Sequence, residues 1–86
     1  MMAEPTRFGR RLKRLRERAG LTIPQLSARS GVPRTSIHGV ENGTREGLST
    51  ESSARIARAL GITIDRLVGD AFDDDVVDSK HAAAIA

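Results

Sequence analysis

Apolar and polar positions follow a helical spacing over residues 6–19. The apolar positions are separated by four, three and four residues and form one stripe: Phe8, Leu12, Leu15 and Ala19. Thr6 is a candidate N-cap, Glu4-Pro5 is an alternative start, and Gly20 is a stop signal. The pattern therefore predicts an amphipathic helix with Arg16 on the edge of its apolar stripe.

Two shorter helical segments follow, with almost no linker between them. Thr22 is a candidate cap of the first, which has Pro24 in its opening turn and ends at Gly31. Val32-Pro33 starts the next segment and Asn42-Gly43 ends it. Helical projection turns three of its residues inward: Ser36, Ile37 and Val40.

Two further helices complete the predicted fold. Ser49 is a candidate cap of a helix that ends at Leu60, and Thr63 is the cap of a last short helix, residues 64–68, which ends at Gly69. One side of the longer helix carries four small or apolar residues: Ser53, Ile56, Ala57 and Leu60. No segment shows sustained alternation, so we expect an all-α fold without a sheet.

Length and composition limit the classes of protein that fit. A chain of 86 residues supports one small domain, and with 2% aromatic residues its core must consist of aliphatic side chains. The absence of cysteine excludes disulfides and thiol chemistry. No apolar run approaches the length of a membrane span, and the basic start lacks the pattern of a signal peptide. These features predict a cytoplasmic protein that does not enter membranes.

The net charge of +3 is unevenly distributed. Residues 1–69 carry thirteen Lys and Arg against six Asp and Glu, whereas residues 70–86 carry Lys80 against five Asp. We therefore predict a basic domain over residues 1–69 and an acidic, then alanine-rich tail over residues 70–86. The basic domain indicates a polyanionic partner, and the tail is either a solvated end or a contact for a protein partner.

The residues around the turn between the second and third helices suit a helix-turn-helix. Ser27 is small enough to let the two helices approach, and Gly31 permits the turn. Val32, Ile37 and Val40 would fill the angle between them. The outer face of the third helix is then free to enter a DNA major groove, which is about 12 Å wide.

From about Phe8 to Val68 the chain resembles the Cro and phage-repressor type of helix-turn-helix, also called the xenobiotic-response-element type. The resemblance rests on "RLRERAGLT", "LSARSGV", "TSIHGVENGT" and "IARALGITIDRL". It implies a five-helix bundle of the lambda-repressor-like DNA-binding type, with the third helix as recognition helix. It further implies a sequence-specific transcriptional regulator, most often a repressor, that binds double-stranded DNA at an inverted repeat as a homodimer.

The exposed face of the third helix carries the predicted base-reading residues. Projection places one group opposite Ile37 and Val40, with Arg34 beside it: Thr35, His38, Gly39 and Asn42. The resemblance assigns Arg34, Thr35 and Gly39 to base-reading positions, and His38 is a further candidate on the same face. Arg34 can donate two hydrogen bonds to guanine or contact phosphate, and Thr35 can meet a base edge or a thymine methyl group.

Gly39 has no side chain, so it would let the helix backbone lie closer to the bases, or the position is simply tolerant. The resemblance assigns phosphate contacts to three residues: Asn42, Thr44 and Arg45. The N-terminal arginines of the first helix, Arg10 and Arg11 with Arg7, are further phosphate candidates if this end faces the duplex, and otherwise form a solvated basic face.

Arg16 and Glu41 match a pair that bridges the first helix to the end of the third in some members of the family. Because Glu41 lies near the core side, it needs such a partner, so we predict a structural ion pair. The chain departs from the family pattern at Ile23, where a phosphate-binding glutamine is common. It departs again at Thr50 and Ser53, where leucines are usual.

An alternative function is a protein-interaction module, such as the antitoxin of a toxin–antitoxin pair, with the acidic tail as the contact. An enzyme is not expected, because the sequence has no cysteine nucleophile and no phosphate-cradling glycine loop. His38 and His81 are the only histidines, so neither a metal site nor a cofactor is predicted.

Overall fold

The computed structural model describes residues 4–69. These residues form five helices in chain order: α1 (Arg7–Arg18), α2 (Ile23–Ser30), α3 (Arg34–Asn42), α4 (Thr50–Leu60) and α5 (Ile64–Val68). The predicted tail of residues 70–86, with Lys80 and His81, lies outside the described residues. Across residues 4–69, no helix is both long and apolar enough to cross a membrane.

Hydroxyl side chains fix the start of four helices. The side-chain oxygen of the capping residue accepts a hydrogen bond from a backbone N–H of the first turn in each case: Thr6, Thr22, Ser49 and Thr63. Thr22 forms a full capping box, because Gln25 Oε1 also accepts the N–H of Thr22 at 2.9 Å. The helix boundaries predicted from these caps are therefore confirmed, and Thr6 rather than Glu4-Pro5 starts α1.

The core is aliphatic and draws on all five helices and the α2–α3 turn. Its largest fully buried side chains are Leu12, Leu26, Val32, Ile37, Val40, Ile56 and Leu67. Ser53 is buried among them at 5% exposure, and Leu48 packs against the cluster from the preceding loop. Because α3 contributes Ile37 and Val40 to this core, its orientation is set by the whole bundle.

The α2–α3 turn is held by hydroxyl groups as well as by packing. Ser27 Oγ donates to the carbonyl of Val32 at 2.6 Å, and the N–H of Val32 donates to Ser30 Oγ at 3.1 Å. Ser27 therefore does more than provide the small volume that the sequence suggested. The bonds satisfy backbone groups of the turn, which would be costly to leave unpaired beside the buried side chain of Val32.

The start of α1 crosses the end of α3 at backbone contact. A Cβ atom at Gly9 would collide with the carbonyl oxygen of Val40 and lie 3.2 Å from its carbonyl carbon. Glycine at this position therefore lets the two helices approach more closely than any other residue would allow. This contact, together with the core, fixes the orientation of α3 relative to α1.

Candidate DNA-binding surface

One face of helix α3 is buried in the core, and the opposite face is exposed to solvent. Ile37 and Val40 have 0% exposure, whereas Arg34, Thr35 and His38 are exposed on the other side of the helix. The N-terminal half of α3 thus presents a guanidinium, a hydroxyl and an imidazole side by side. The predicted exposure of these three side chains is confirmed, and their contacts with bases stay a prediction.

The first turn of α3 keeps its backbone donors available. Pro33 is the N-cap residue, and no side chain bonds to this helix end, which also contains no acidic residue. The N–H of Ser36 donates to the carbonyl of Pro33 at 3.0 Å. The N–H groups of Arg34 and Thr35 come before the first such bond and have no acceptor within the helix. The positive end of the helix dipole and these donors favour an anion such as phosphate.

Asn42 organises the end of α3. Its Oδ1 accepts from the N–H of Thr44 at 3.0 Å and from Thr44 Oγ1 at 2.9 Å. This fixes the amide nitrogen toward His38, where Nδ2 lies 3.3 Å from His38 Nδ1. Because the amide nitrogen can only donate, His38 Nδ1 accepts and a neutral His38 carries its proton on Nε2. His38 therefore presents an outward donor, and Asn42 keeps one N–H for a phosphate.

The two donors of Thr44 are engaged within the loop. Its N–H bonds to Asn42 Oδ1 and to the carbonyl of Gly39 at 2.9 Å, and its hydroxyl reaches the same two acceptors. A phosphate contact from Thr44, as the resemblance implied, would require one of these bonds to open. The geometry favours Thr44 as a loop-forming residue.

Gly39 is buried, so the expectation that it lies on the exposed face of α3 is wrong. Its carbonyl accepts the N–H groups of three following residues, Gly43, Thr44 and Arg45, at 2.9–3.0 Å. The loop therefore folds back over the helix, and Arg45 and Thr44 cover Gly39. Helical projection missed this because it considers α3 without the segment that follows it.

Arg45 lies along the surface of α3. A Cβ at Gly39 would be 3.0 Å from both Cγ and Cδ of Arg45, and Arg45 Nη1 donates to Ser36 Oγ at 2.9 Å. The missing side chain at Gly39 thus makes room for the arginine stem. Arg45 remains exposed, so its guanidinium is held beside the exposed face of α3.

Replacing Gly39 by alanine tests this packing. Alanine favours a helix interior by about 1 kcal/mol over glycine, but here its Cβ must displace Arg45 and Thr44. We expect the stability gain in the wild-type background to be smaller than in an Arg45→Ala background, where Cγ and Cδ are absent. Chemical denaturation of the four proteins measures both values, and equal gains would contradict the close packing of Arg45 on Gly39.

The α1 arginines make different contacts. Arg10 is exposed, and its Nη1 donates to the carbonyl of Pro5 at 2.9 Å at the N-terminal end of the helix. Arg11 is half-buried, and its Nε donates to the carbonyl of Arg66 at 2.8 Å. Arg11 thus ties α1 to the C-terminal turn of α5, where a cation is favourable. A phosphate contact by Arg11 must coexist with this bond, whereas Arg10 is more open.

Arg16 and Glu41 form the expected ion pair between α1 and the end of α3. Arg16 Nε and Nη2 each donate to one carboxylate oxygen of Glu41 at 2.8 Å, and Nη1 donates to the carbonyl of Leu21 at 2.8 Å. Both residues are 8% exposed. The hydrogen bond with Glu41 raises the pKa of the Arg16 guanidinium although burial opposes the increase. The bidentate contact fixes α3 against α1.

Comparison with known families identifies the family that shares this architecture. A family described as a helix-turn-helix domain matches residues 7–68, which include all five described helices. The chain belongs to this helix-turn-helix family. Its resemblance to regulators of the Cro and phage-repressor type, with the lambda-repressor-like fold, is confirmed. No curated protein matches the sequence.

Several solved structures share this helix-turn-helix domain. The restriction-modification controller protein C.AhdI from Aeromonas hydrophila is 38% identical over 71% of this chain and 91% of its own, with a TM-score of 0.66. The clp gene regulator ClgR from C. glutamicum is 26% identical over 87% of this chain and 100% of its own, with a TM-score of 0.68. The N-terminal DNA-binding domain of SinR from Bacillus subtilis, 18% identical over 77% and 96% respectively, shares the fold with a TM-score of 0.70.

Two features of this helix-turn-helix domain were not predicted from the sequence. One is the backbone contact at Gly9, and the other is the path of Arg45 over Gly39. Both positions are glycines inside a helix, and an interior glycine is itself a signal of close approach by another segment.

Within residues 4–69, His, Asp and Glu side chains form no group of three or more that could hold a metal ion.

Proposed function

We propose that this protein is a sequence-specific transcriptional repressor that binds an inverted-repeat operator as a homodimer. The observation that carries the proposal is the exposed row of Arg34, Thr35 and His38 on a helix whose back is fixed in the core. An α-helix fits a major groove, and side chains near the start of a recognition helix contact base edges. The exposed face of α3 has the size and the hydrogen-bonding chemistry for this role.

Each exposed side chain has a role in the proposed complex. The Arg34 guanidinium donates two hydrogen bonds to O6 and N7 of a guanine. Thr35 contacts a base edge or a thymine methyl group through its hydroxyl or its own methyl. His38 donates from Nε2 to a base or a phosphate. Gly39, being covered by Arg45, contributes space rather than a base contact.

Phosphate contacts would hold the domain in register on the duplex. The exposed Arg10, Arg45 and Asn42 remain the best-placed residues, because each keeps at least one donor for an outside partner. The basic charge of residues 1–69 supports association with a polyanion.

The relatives support a regulator of gene expression. C.AhdI is described as a controller protein of restriction-modification, and ClgR as a clp gene regulator. SinR, described as a master regulator for biofilm formation, has been crystallised in complex with DNA. These descriptions support a DNA-binding regulator as the first proposal, with an antitoxin acting through its tail as the alternative.

Selection of bound duplexes from a random pool tests the proposal. We expect an inverted repeat with guanine in each half-site, bound by two chains whose α3 helices lie about 34–36 Å apart. Affinity should fall steeply with salt, since each neutralised phosphate adds about −0.9 to the log–log slope. Selected duplexes that bind no more tightly than scrambled competitor would contradict sequence-specific binding, and one chain per site would contradict the dimer.

Transcription with purified components tests repression separately from DNA binding. When the selected operator overlaps a promoter, addition of the protein to purified polymerase should reduce the amount of transcript in proportion to operator occupancy. A promoter carrying a scrambled operator is the matched control. An increase in transcript at full occupancy would identify an activator instead.

A further inference from the structure

A groove runs between the first turns of α2 and α3, beside the proposed base-reading face. Its volume is about 370 Å³, and it is lined by Ile23, Pro24, Arg34, Thr35 and His38. Ile23 and Pro24 form its α2 wall, and this wall is hydrocarbon. The other wall carries the exposed polar side chains of α3.

The first turn of α2 offers few free backbone donors to a phosphate. Pro24 has no N–H, and the N–H of Gln25 is bonded to Thr22 Oγ1 at 3.2 Å. The side-chain oxygen of Gln25 is bonded as well, because Oε1 accepts the N–H of Thr22, and the donors of its amide group remain. At Ile23 the chain has an aliphatic side chain that is half-buried against the core, with the remainder facing the groove.

The position of the groove determines what can occupy it. Arg34 lines it and no acidic residue does, so the groove is electrostatically compatible with an anionic partner such as a duplex. If α3 enters the major groove, the apolar wall lies beside the edges of the base pairs that α3 reads. The major-groove edges carry one apolar group, the C5-methyl of thymine.

We propose that Ile23, together with Pro24, contacts the C5-methyl group of a thymine in each half-site. This inference rests on the proposed function and adds a specificity-determining residue on α2 to those on α3. Thymine at this position is selected by burial of its methyl group against Ile23, next to the base pair that Arg34 reads. The same contact rejects cytosine, which has no methyl group at C5.

The test removes the methyl group alone. In the selected operator, each thymine is replaced by deoxyuridine, one symmetry-related pair at a time, and the dissociation constant is measured. For one pair, we expect wild-type affinity to fall about fourfold per half-site, or about fifteenfold for both, as burial of one methyl group predicts. The Ile23→Gln protein should bind the thymine and deoxyuridine duplexes at that pair equally well.

Two further variants test whether the methyl contact belongs to Ile23 or to a neighbouring residue, and the use of a ratio excludes a folding defect as the cause. Ile23→Val keeps a branched side chain but lacks the terminal methyl, so it should show an intermediate ratio. Thr35→Ser removes the other methyl group near the groove; it is expected to weaken binding to both duplexes, but it should keep the wild-type ratio at the pair that becomes insensitive in Ile23→Gln. Each protein is compared with itself on two duplexes, so an unfolded fraction cancels from the ratio.

The outcomes distinguish the inference from the function on which it rests. A preferred duplex that binds with equal affinity at every thymine-to-deoxyuridine pair overturns the role of Ile23 and leaves the DNA-binding function intact. A ratio that survives in Ile23→Gln and disappears in Thr35→Ser assigns the methyl contact to Thr35 and also overturns it. Failure to select any preferred duplex overturns both.

Discussion

Replacing Glu41 by glutamine is expected to lower the free energy of unfolding by about 3–5 kcal/mol. The substitution leaves the Arg16 guanidinium at 8% exposure beside an uncharged amide, which can accept from only one of the two donors that now bond at 2.8 Å. Removing one partner of a buried pair leaves an uncompensated charge, which is the costly term. A small domain has a total stability of about 5–15 kcal/mol, so a large share would be lost.

Thermal denaturation measures this loss. For a domain of this length, about 4–8 °C of melting temperature corresponds to each kcal/mol, so the variant should melt at least about 12 °C below the wild type. Glu51→Gln is the matched control, because the Arg55–Glu51 pair is 2.6 Å long but its side chains are 49% and 73% exposed. The control should cost about 0.3–0.5 kcal/mol. Equal losses in the two variants would show that burial is not what makes Glu41 important.

A double replacement separates the charge from the packing. Arg16→Met combined with Glu41→Leu removes both charges and keeps similar volumes, and such exchanges of a buried pair are often neutral. We therefore expect the double variant to recover most of the stability that Glu41→Gln loses. A double variant as unstable as the single one would indicate that the bond from Arg16 to the carbonyl of Leu21 is the important contact.

Local signals were sufficient to predict the five helices. A cap such as Thr22 or Ser49 depends on a hydrogen bond to a residue three positions away, and both residues of the bond are visible in one short segment. The periodicity of Leu12, Ile37 and Val40 similarly reports one helix at a time, and all three are fully buried. The resemblance then supplied the arrangement of the helices and the pairing of Arg16 with Glu41.

The surface around α3 could not be predicted in the same way, because it depends on contacts between segments. Gly39 projects to the open side of α3, but the loop returns over it and places Arg45 there. Gly9 inside a helix signals a close approach, but Val40 is far away in the sequence, so nothing near Gly9 identifies the segment that crosses it. The groove at Ile23 combines residues of two helices, and no single amphipathic pattern contains it.

Replacing Arg34 by alanine is expected to produce the largest loss of operator binding. A bidentate contact with guanine contributes about 1–3 kcal/mol of discrimination, and a two-fold dimer loses two, which gives about 2–6 kcal/mol for the whole site. The side chain is exposed, and its removal leaves the core beneath α3 unchanged, so the melting temperature should stay close to that of the wild type. Binding is measured on the selected operator and on operators in which each guanine is replaced.

The pattern of loss distinguishes a base contact from a phosphate contact. If Arg34 reads guanine, Arg34→Ala relaxes the preference at one position in each half-site and leaves the salt slope nearly unchanged. Arg34→Lys should also relax this preference, because lysine keeps the charge but lacks the planar guanidinium that donates two parallel hydrogen bonds to one guanine. Arg58→Ala removes the same charge from the cleft between α2 and α4 and should keep the preference. An Arg34→Ala protein that weakens equally on all duplexes, with a slope shallower by about 0.9 per copy, would assign Arg34 to phosphate instead.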